Sequence, residues 1–156
     1  MYIDTGALEG YVHPFAGYYL PYRDAGHEGL VSTITNVPPV LNWIYVDKDT
    51  YEVKYGVRLD AQPNITGPFN CTRQDRRLTI EGWEGFVAVK EEGEKGEQLW
   101  ALYYDRDDDG LRGKLGFGRT VLEVELRREE KRMPKPEGEP QGWLRTSLET
   151  ESQKQE

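Results

Sequence analysis

The chain has 156 residues, enough for one domain and short for two. Apolar residues make up 37% and charged residues 31%, while an aromatic share of 12% argues against a disordered polymer. With 28 acidic side chains against 20 basic ones the net charge is −8, which repels phosphate backbones and anionic lipid and so excludes general binding to nucleic acid or to a membrane surface.

The first forty residues predict two strands, Gly17 to Leu20 and Leu30 to Ile34, divided by a polar, glycine-bearing loop. Pro14 and Pro21 confine the first of these to a sheet edge or a bulge. A third strand runs from Val40 to Val46, centred on Trp43-Ile44-Tyr45. Asp47-Lys48-Asp49-Thr50 is turn chemistry and joins it, as a hairpin, to the next run. There Tyr51, Val53, Tyr55, Val57 and Leu59 alternate with Glu52, Lys54 and Arg58. Successive strand side chains point to opposite faces, so this run predicts a half-buried strand.

Asp60 to Arg77, holding Pro63, Gly67 and Pro68, reads as a long connection. Leu78 to Glu81 is a short strand that ends at Gly82. Gly85 to Glu91 and Gln98 to Tyr104 follow as two more, joined by the solvated loop Glu92-Gly93-Glu94-Lys95-Gly96. Thr120-Val121 leads into Leu122, Val124 and Leu126, which alternate with Glu123, Glu125 and Arg127 as a last strand. No segment before residue 130 carries the stripe of an amphipathic helix.

Seven or eight short strands predict an all-β fold, a small antiparallel barrel. A two-sheet sandwich is the alternative, since both show the same alternation. Closure into a barrel would remove exposed edges. Residues 1–132 are read as a single β domain and residues 133–156, dominated by proline, glycine and charge, as a mostly disordered, flexible acidic tail. Trp143-Leu144 is an apolar island within that tail. The N-terminus lacks the basic start and apolar run of a signal peptide, so the chain is expected to be intracellular and cytoplasmic. Cys71 is alone, which excludes an internal disulfide and favours a neutral structural thiol. The sequons Asn64-Ile65-Thr66 and Asn70-Cys71-Thr72 would matter only after secretion.

Four constellations could carry chemistry. Asp105-Arg106-Asp107-Asp108-Asp109-Gly110 places Asp105, Asp107 and Asp109 at a spacing from which a tight loop could direct three hard oxygens at calcium. The twelfth position of such a loop, where a bidentate Glu belongs, is Gly116, and Arg106, Arg112 and Lys114 neutralise the site. An acidic turn closed by Asp-Gly is the competing reading. His13, Tyr22, Asp24 and His27 are weak acid–base candidates, because imidazole titrates near neutrality while their spacing defines no geometry. Arg73, Arg76 and Arg77 around Asp75 could grip an anion, or pair with Glu81, Glu84 and their neighbours. Gly82-Trp83-Glu84-Gly85 suggests a tight bend where backbone passes close to the ring. Trp43, Tyr45, Trp83, Trp100 and Tyr104 would line the core or a pocket, though alternation prevents all five from sharing one cavity. There is no HExxH, CxxC, GxSxG or phosphate-cradling glycine loop.

Asn42-Trp43-Ile44-Tyr45-Val46-Asp47, Glu81-Gly82-Trp83-Glu84-Gly85 and the acidic loop occur in that order. Together they resemble a group of short fungal proteins of unassigned function, over roughly residues 40 to 130. The resemblance implies no activity, ligand or catalytic residue. These readings lead to a small intracellular β-barrel domain that binds a small molecule or a protein partner, without a cofactor. The alternatives are a barrel-pocket enzyme (an isomerase, cyclase or hydrolase) using tyrosine, histidine and aspartate, and a calcium-stabilised structural domain.

Overall fold

A computed structural model describes residues 1–3, 5, 14–36 and 38–132. His13 and the expected tail, with Trp143-Leu144, lie outside the described residues. The elements in chain order are β1 (Tyr2–Ile3), β2 (Tyr18–Tyr22), β3 (His27–Asn36), β4 (Pro39–Val46), β5 (Val53–Gly56), α1 (Arg58–Ala61), β6 (Phe69–Cys71), β7 (Leu78–Ile80), β8 (Phe86–Glu92), β9 (Gln98–Tyr104) and β10 (Val121–Glu123). No described helix is long and apolar enough to cross a membrane.

The strands form three antiparallel sheets, ordered β1-β9-β8-β10, β2-β3-β4-β5 and β6-β7. Among the described residues none closes on itself, so the expected barrel is not formed, and neither is a simple two-sheet sandwich. The cause is where the ladders stop. β4 and β5 pair from Val46↔Val53 to Trp43↔Gly56. Just before β5 the backbone of Tyr51 takes a φ of 64°. The link onward to β9 is then an isolated bridge, Glu52↔Tyr103, and Val46↔Ile65 and Arg77↔Arg127 are isolated in the same way. A barrel needs continuous pairing around its circumference. Here the sheets touch through single bridges and a few further backbone bonds, such as Met1 N–H to the Val53 carbonyl at 2.7 Å, and otherwise pack side chain against side chain.

The alternation expected from sequence explains the packing. In β4, Ile44 and Val46 enter the main core with Leu30, Val53, Phe69, Ile80, Phe86, Val89 and Tyr104. Trp43 and Tyr45, one position out of phase, point to the other face. There they join Tyr22, Val31 and Ala61 in a second, smaller cluster. The β2–β5 sheet is therefore buried on both faces at its centre, and α1 packs against β4 and β5. Tyr104 is the largest fully buried side chain among the described residues, 1% exposed, and its hydroxyl donates to the Ile80 carbonyl at 2.7 Å. Burial, with a smaller push from Glu81, raises its pKa to about 12.

Four elements depart from the sequence pattern, the first being β1, which pairs with β9 where no strand was expected. The run Tyr51 to Leu59 breaks after Gly56: Tyr51 and Val53 are buried, but Tyr55, Val57 and Leu59 are exposed. Arg58 opens α1, and the Asp60 carboxylate accepts the Val57 N–H at 3.2 Å. Alternate positions satisfy a strand and a single helical turn equally over so short a stretch. β6 emerges inside the expected long connection, where Phe69 faces Ile80 of β7. β10 covers only Val121–Glu123, and Leu122 stands half exposed. By contrast, the hairpin at Asp47–Thr50 forms as expected: Asp47 carboxylate oxygen accepts the N–H groups of Asp49 and Thr50 at 2.9 and 3.1 Å. Pro21 lies in β2, an edge strand, where a missing N–H costs no ladder bond.

Candidate functional site

The second cluster floors a groove of about 480 Å³ between β2, β4 and the start of α1. Leu20, Val40, Leu41, Trp43 and Val57 supply its apolar wall, and Arg23 and Arg58 its polar groups. Each arrives for a local reason. Leu41, Trp43 and Tyr45 share one face of β4 because they are two apart. The indole of Trp43 lies across β3 at Gly29, where an added methyl group would stand 2.6 Å from its Cζ3 atom. Glycine at 29 thus seats the ring, and Tyr22 meets it edge-on with ring centroids 4.8 Å apart. Arg58, at the head of α1, places its guanidinium 5.1 Å from the Tyr22 ring centroid. The same guanidinium reaches Asp24 at 2.6 Å.

Three of the four acid–base candidates gather behind this groove. Tyr22 is 3% exposed and stacks on His27 at 5.8 Å. The Tyr22 hydroxyl has no hydrogen-bond partner among the described residues. His27 Nε2 meets the Thr66 hydroxyl at 2.9 Å, not a carboxylate. Asp24 is spent on Arg58. A histidine held by a hydroxyl and a carboxylate held by a guanidinium do not make the acid–base pair that proton transfer needs. His13 lies outside the described residues.

The calcium reading is overturned by the directions of the three carboxylates. Asp105 is 7% exposed and turns into its own loop, accepting the N–H groups of Asp109 at 3.2 Å, Gly110 at 2.8 Å and Leu111 at 3.4 Å. Asp107 accepts the Tyr51 hydroxyl at 2.9 Å. Asp109 accepts the Arg112 N–H at 3.1 Å. Among the described residues no group of histidine, cysteine or carboxylate side chains converges as a metal site. Asp108, Gly110 and Leu111 all have positive φ, which coils the loop around Asp105 and sends Leu111 into the main core. The spacing that suggested a cation is that of a turn built on one buried carboxylate.

The five aromatic candidates separate. Trp43 lines the groove and Tyr45 lies beneath in the same cluster. Tyr104 belongs to the main core, and Trp100 is half-buried on β9, opposite Ile3 and Lys90. Trp83 is 45% exposed at the bend between β7 and β8, its Nε1 donating to the Asp105 carbonyl at 3.3 Å. Its ring crosses Gly85 so closely that a methyl there would collide with it, as the glycine pattern suggested. Arg77 pairs with Glu125 at 2.6 Å and with Asp75 and Glu84 at 3.3 Å, so that arginine serves its own sheet entrance. Cys71 is half-buried, with Arg128 Nη1 at 3.9 Å from its sulfur.

Leu20, Leu41, Val57 and Arg58 were not singled out from sequence. Leu41 could have been found from its phase with Trp43 and Tyr45. Arg58 had no such signal, because its place in the groove depends on the helical turn that interrupts the alternation.

The family model described as a fungal beta-trefoil domain matches residues 1–132. Comparison with curated proteins and with solved structures yields no match.

Proposed function

The chain belongs to the fungal beta-trefoil domain family, and from that premise we propose that it is a binding domain whose ligand seat is the groove over Trp43. One observation carries the reading: in that groove an aromatic floor, aliphatic walls and two arginines converge in about 480 Å³. Small-molecule sites are concave, mostly apolar, and hold a few placed polar groups in a few hundred Å³. Trp43 provides the contact area, and Tyr45 and Tyr22 hold it from behind. The occupant in this reading is a small molecule, and the domain acts by holding it rather than by transforming it.

The test is a two-dimensional NMR titration with a library of small aromatic fragments. The expected result is that hits shift the amides of Leu41, Trp43, Val57 and Arg58 together. Val40→Asp and Val57→Asp place charges on two exposed wall positions, so they should abolish those shifts without unfolding the domain. Hits that shift only amides of the main core, or that survive both substitutions, would defeat the proposal.

A further inference from the structure

Building on that reading of the groove, we infer that its ligand is an organic carboxylate: an apolar ring or chain over Trp43 with its anionic end between Arg23 and Arg58. The charge distribution argues for this. The chain carries eight more acidic than basic side chains, yet among the described residues the groove's lining holds two guanidinium groups and no carboxylate, with Asp24 and Asp60 at its edge on Arg58 and the Val57 N–H. Among the described residues Arg23 makes no ion pair, and Arg58 makes one, to Asp24. Arg23, exposed and without an ion pair among the described residues, presents a positive charge to an anion beside the apolar floor.

Arg58 is paired, and its partner defines the switch. Its Nη2 meets Asp24 at 2.6 Å, with both side chains about half exposed. Exposed pairs of this kind hold weakly, since water and salt screen them. A guanidinium has five N–H donors, so one contact to Asp24 leaves a fork face for a second carboxylate. Asp24 also opposes an incoming anion by like charge. It is therefore a competitor that the ligand's carboxylate displaces or shares with. No bond is made or broken in this step; it exchanges one ion pair for another. The aromatic floor selects for an apolar body, and the two arginines for its charge, so neither feature alone describes the ligand.

The experiment compares 2-naphthoate with 2-naphthalenemethanol, which has the same ring system without charge, by NMR titration of the full chain. The inference expects the carboxylate to bind at least about tenfold more tightly, a ratio worth about 1.4 kcal/mol. Arg23→Gln and Arg58→Gln should each lower affinity for 2-naphthoate several-fold and the alcohol's affinity by clearly less. Asp24→Asn should strengthen naphthoate binding about two- to fivefold, the size expected for removing a screened like charge. All three substitutions lie on exposed side chains, and retained amide dispersion verifies their folds. Equal affinity for the two compounds would overturn the carboxylate inference while leaving the groove as a binding site. If neither compound moves the groove amides, the binding-site reading fails with it. If Asp24→Asn weakens naphthoate binding, Asp24 supports the ligand rather than competing with it, and the inference is wrong as stated.

Discussion

Replacing Asp105 with alanine tests whether the acidic loop is a self-contained turn. The Gly110 N–H donates to Asp105 at 2.8 Å, a charge-assisted bond worth about 1.5–3 kcal/mol. The bonds from Asp109 at 3.2 Å and Leu111 at 3.4 Å are long and contribute less directly. Leu111 is buried, however, so its N–H cannot turn to water when the carboxylate is gone, and an orphaned buried donor costs about 1–3 kcal/mol. Asp109 and Gly110 are exposed, and water recovers part of their loss. Together the substitution should cost about 2–4 kcal/mol, a fall in melting temperature on the order of 10 °C. Asp105→Asn keeps one acceptor and should cost about half as much, because only one oxygen is lost. Thermal unfolding followed by circular dichroism, with and without millimolar calcium or chelator, measures both. The turn reading expects neither additive to change the midpoint. A variant within about 2 °C of the parent, a shift smaller than 1 kcal/mol would produce, refutes the accounting. A calcium-dependent rise in the parent that Asp105→Ala abolishes would restore the metal reading.

Two further outcomes follow from the same geometry. Gly29→Ala should destabilise by about 1–3 kcal/mol through overpacking, because its methyl group would meet the Trp43 ring at 2.6 Å; loss of the near-ultraviolet signal of Trp43 with unchanged strand content is the readout, and an unchanged melting temperature would show that the ring is not seated there. For Asp47, partial burial alone would raise its pKa, but the Lys54 ammonium at 2.9 Å and the N–H groups of Thr50 and Asp49 outweigh this and hold it at about 2. The folded value is depressed, so the stabilisation is complete above the ordinary carboxylate value near 3.8 and is lost as pH falls toward about 2. Allowing for solvent screening at its partly exposed position, it amounts to roughly 1 kcal/mol. Asp47→Asn should remove that part of the acid-unfolding slope, and identical slopes for parent and variant would contradict the assignment.

The strands were legible because their signal is local. Tyr51-Glu52-Val53-Lys54 and Asp47 to Thr50 each carry their information within a few residues, and the β4–β5 hairpin follows from them. The bend at Gly82-Trp83-Glu84-Gly85 was legible for the same reason: a glycine beside a tryptophan announces a close approach of ring and backbone. The four-residue α1 was not, since Val57 and Leu59 continue the strand alternation until Asp60 turns the chain. β6 was hidden because Phe69 acquires a partner only when Ile80 arrives from a segment about ten residues on.

The candidate site divides along the same line. Tyr22, Asp24 and His27 were named from composition, and Trp43 from its strand; the β2–β3 turn brings the first three together, but nothing local brings Trp43 to them. That needs the β3–β4 pairing to lay Trp43 across Gly29, and then α1 to deliver Arg58. The acidic loop is the reverse case. Its residues are adjacent, yet whether Asp105 faces out toward a cation or inward onto Gly110 depends on Leu111 being drawn into the core. The sequence by itself determined an all-β chain, the phase of β4 and an acidic composition, because alternation and charge are properties of neighbouring residues. Tertiary structure alone decided that the sheets stay open, which aromatic rings meet, and where Arg23 and the Asp24-paired Arg58 stand beside an apolar floor, because those depend on which distant backbone segments exchange hydrogen bonds.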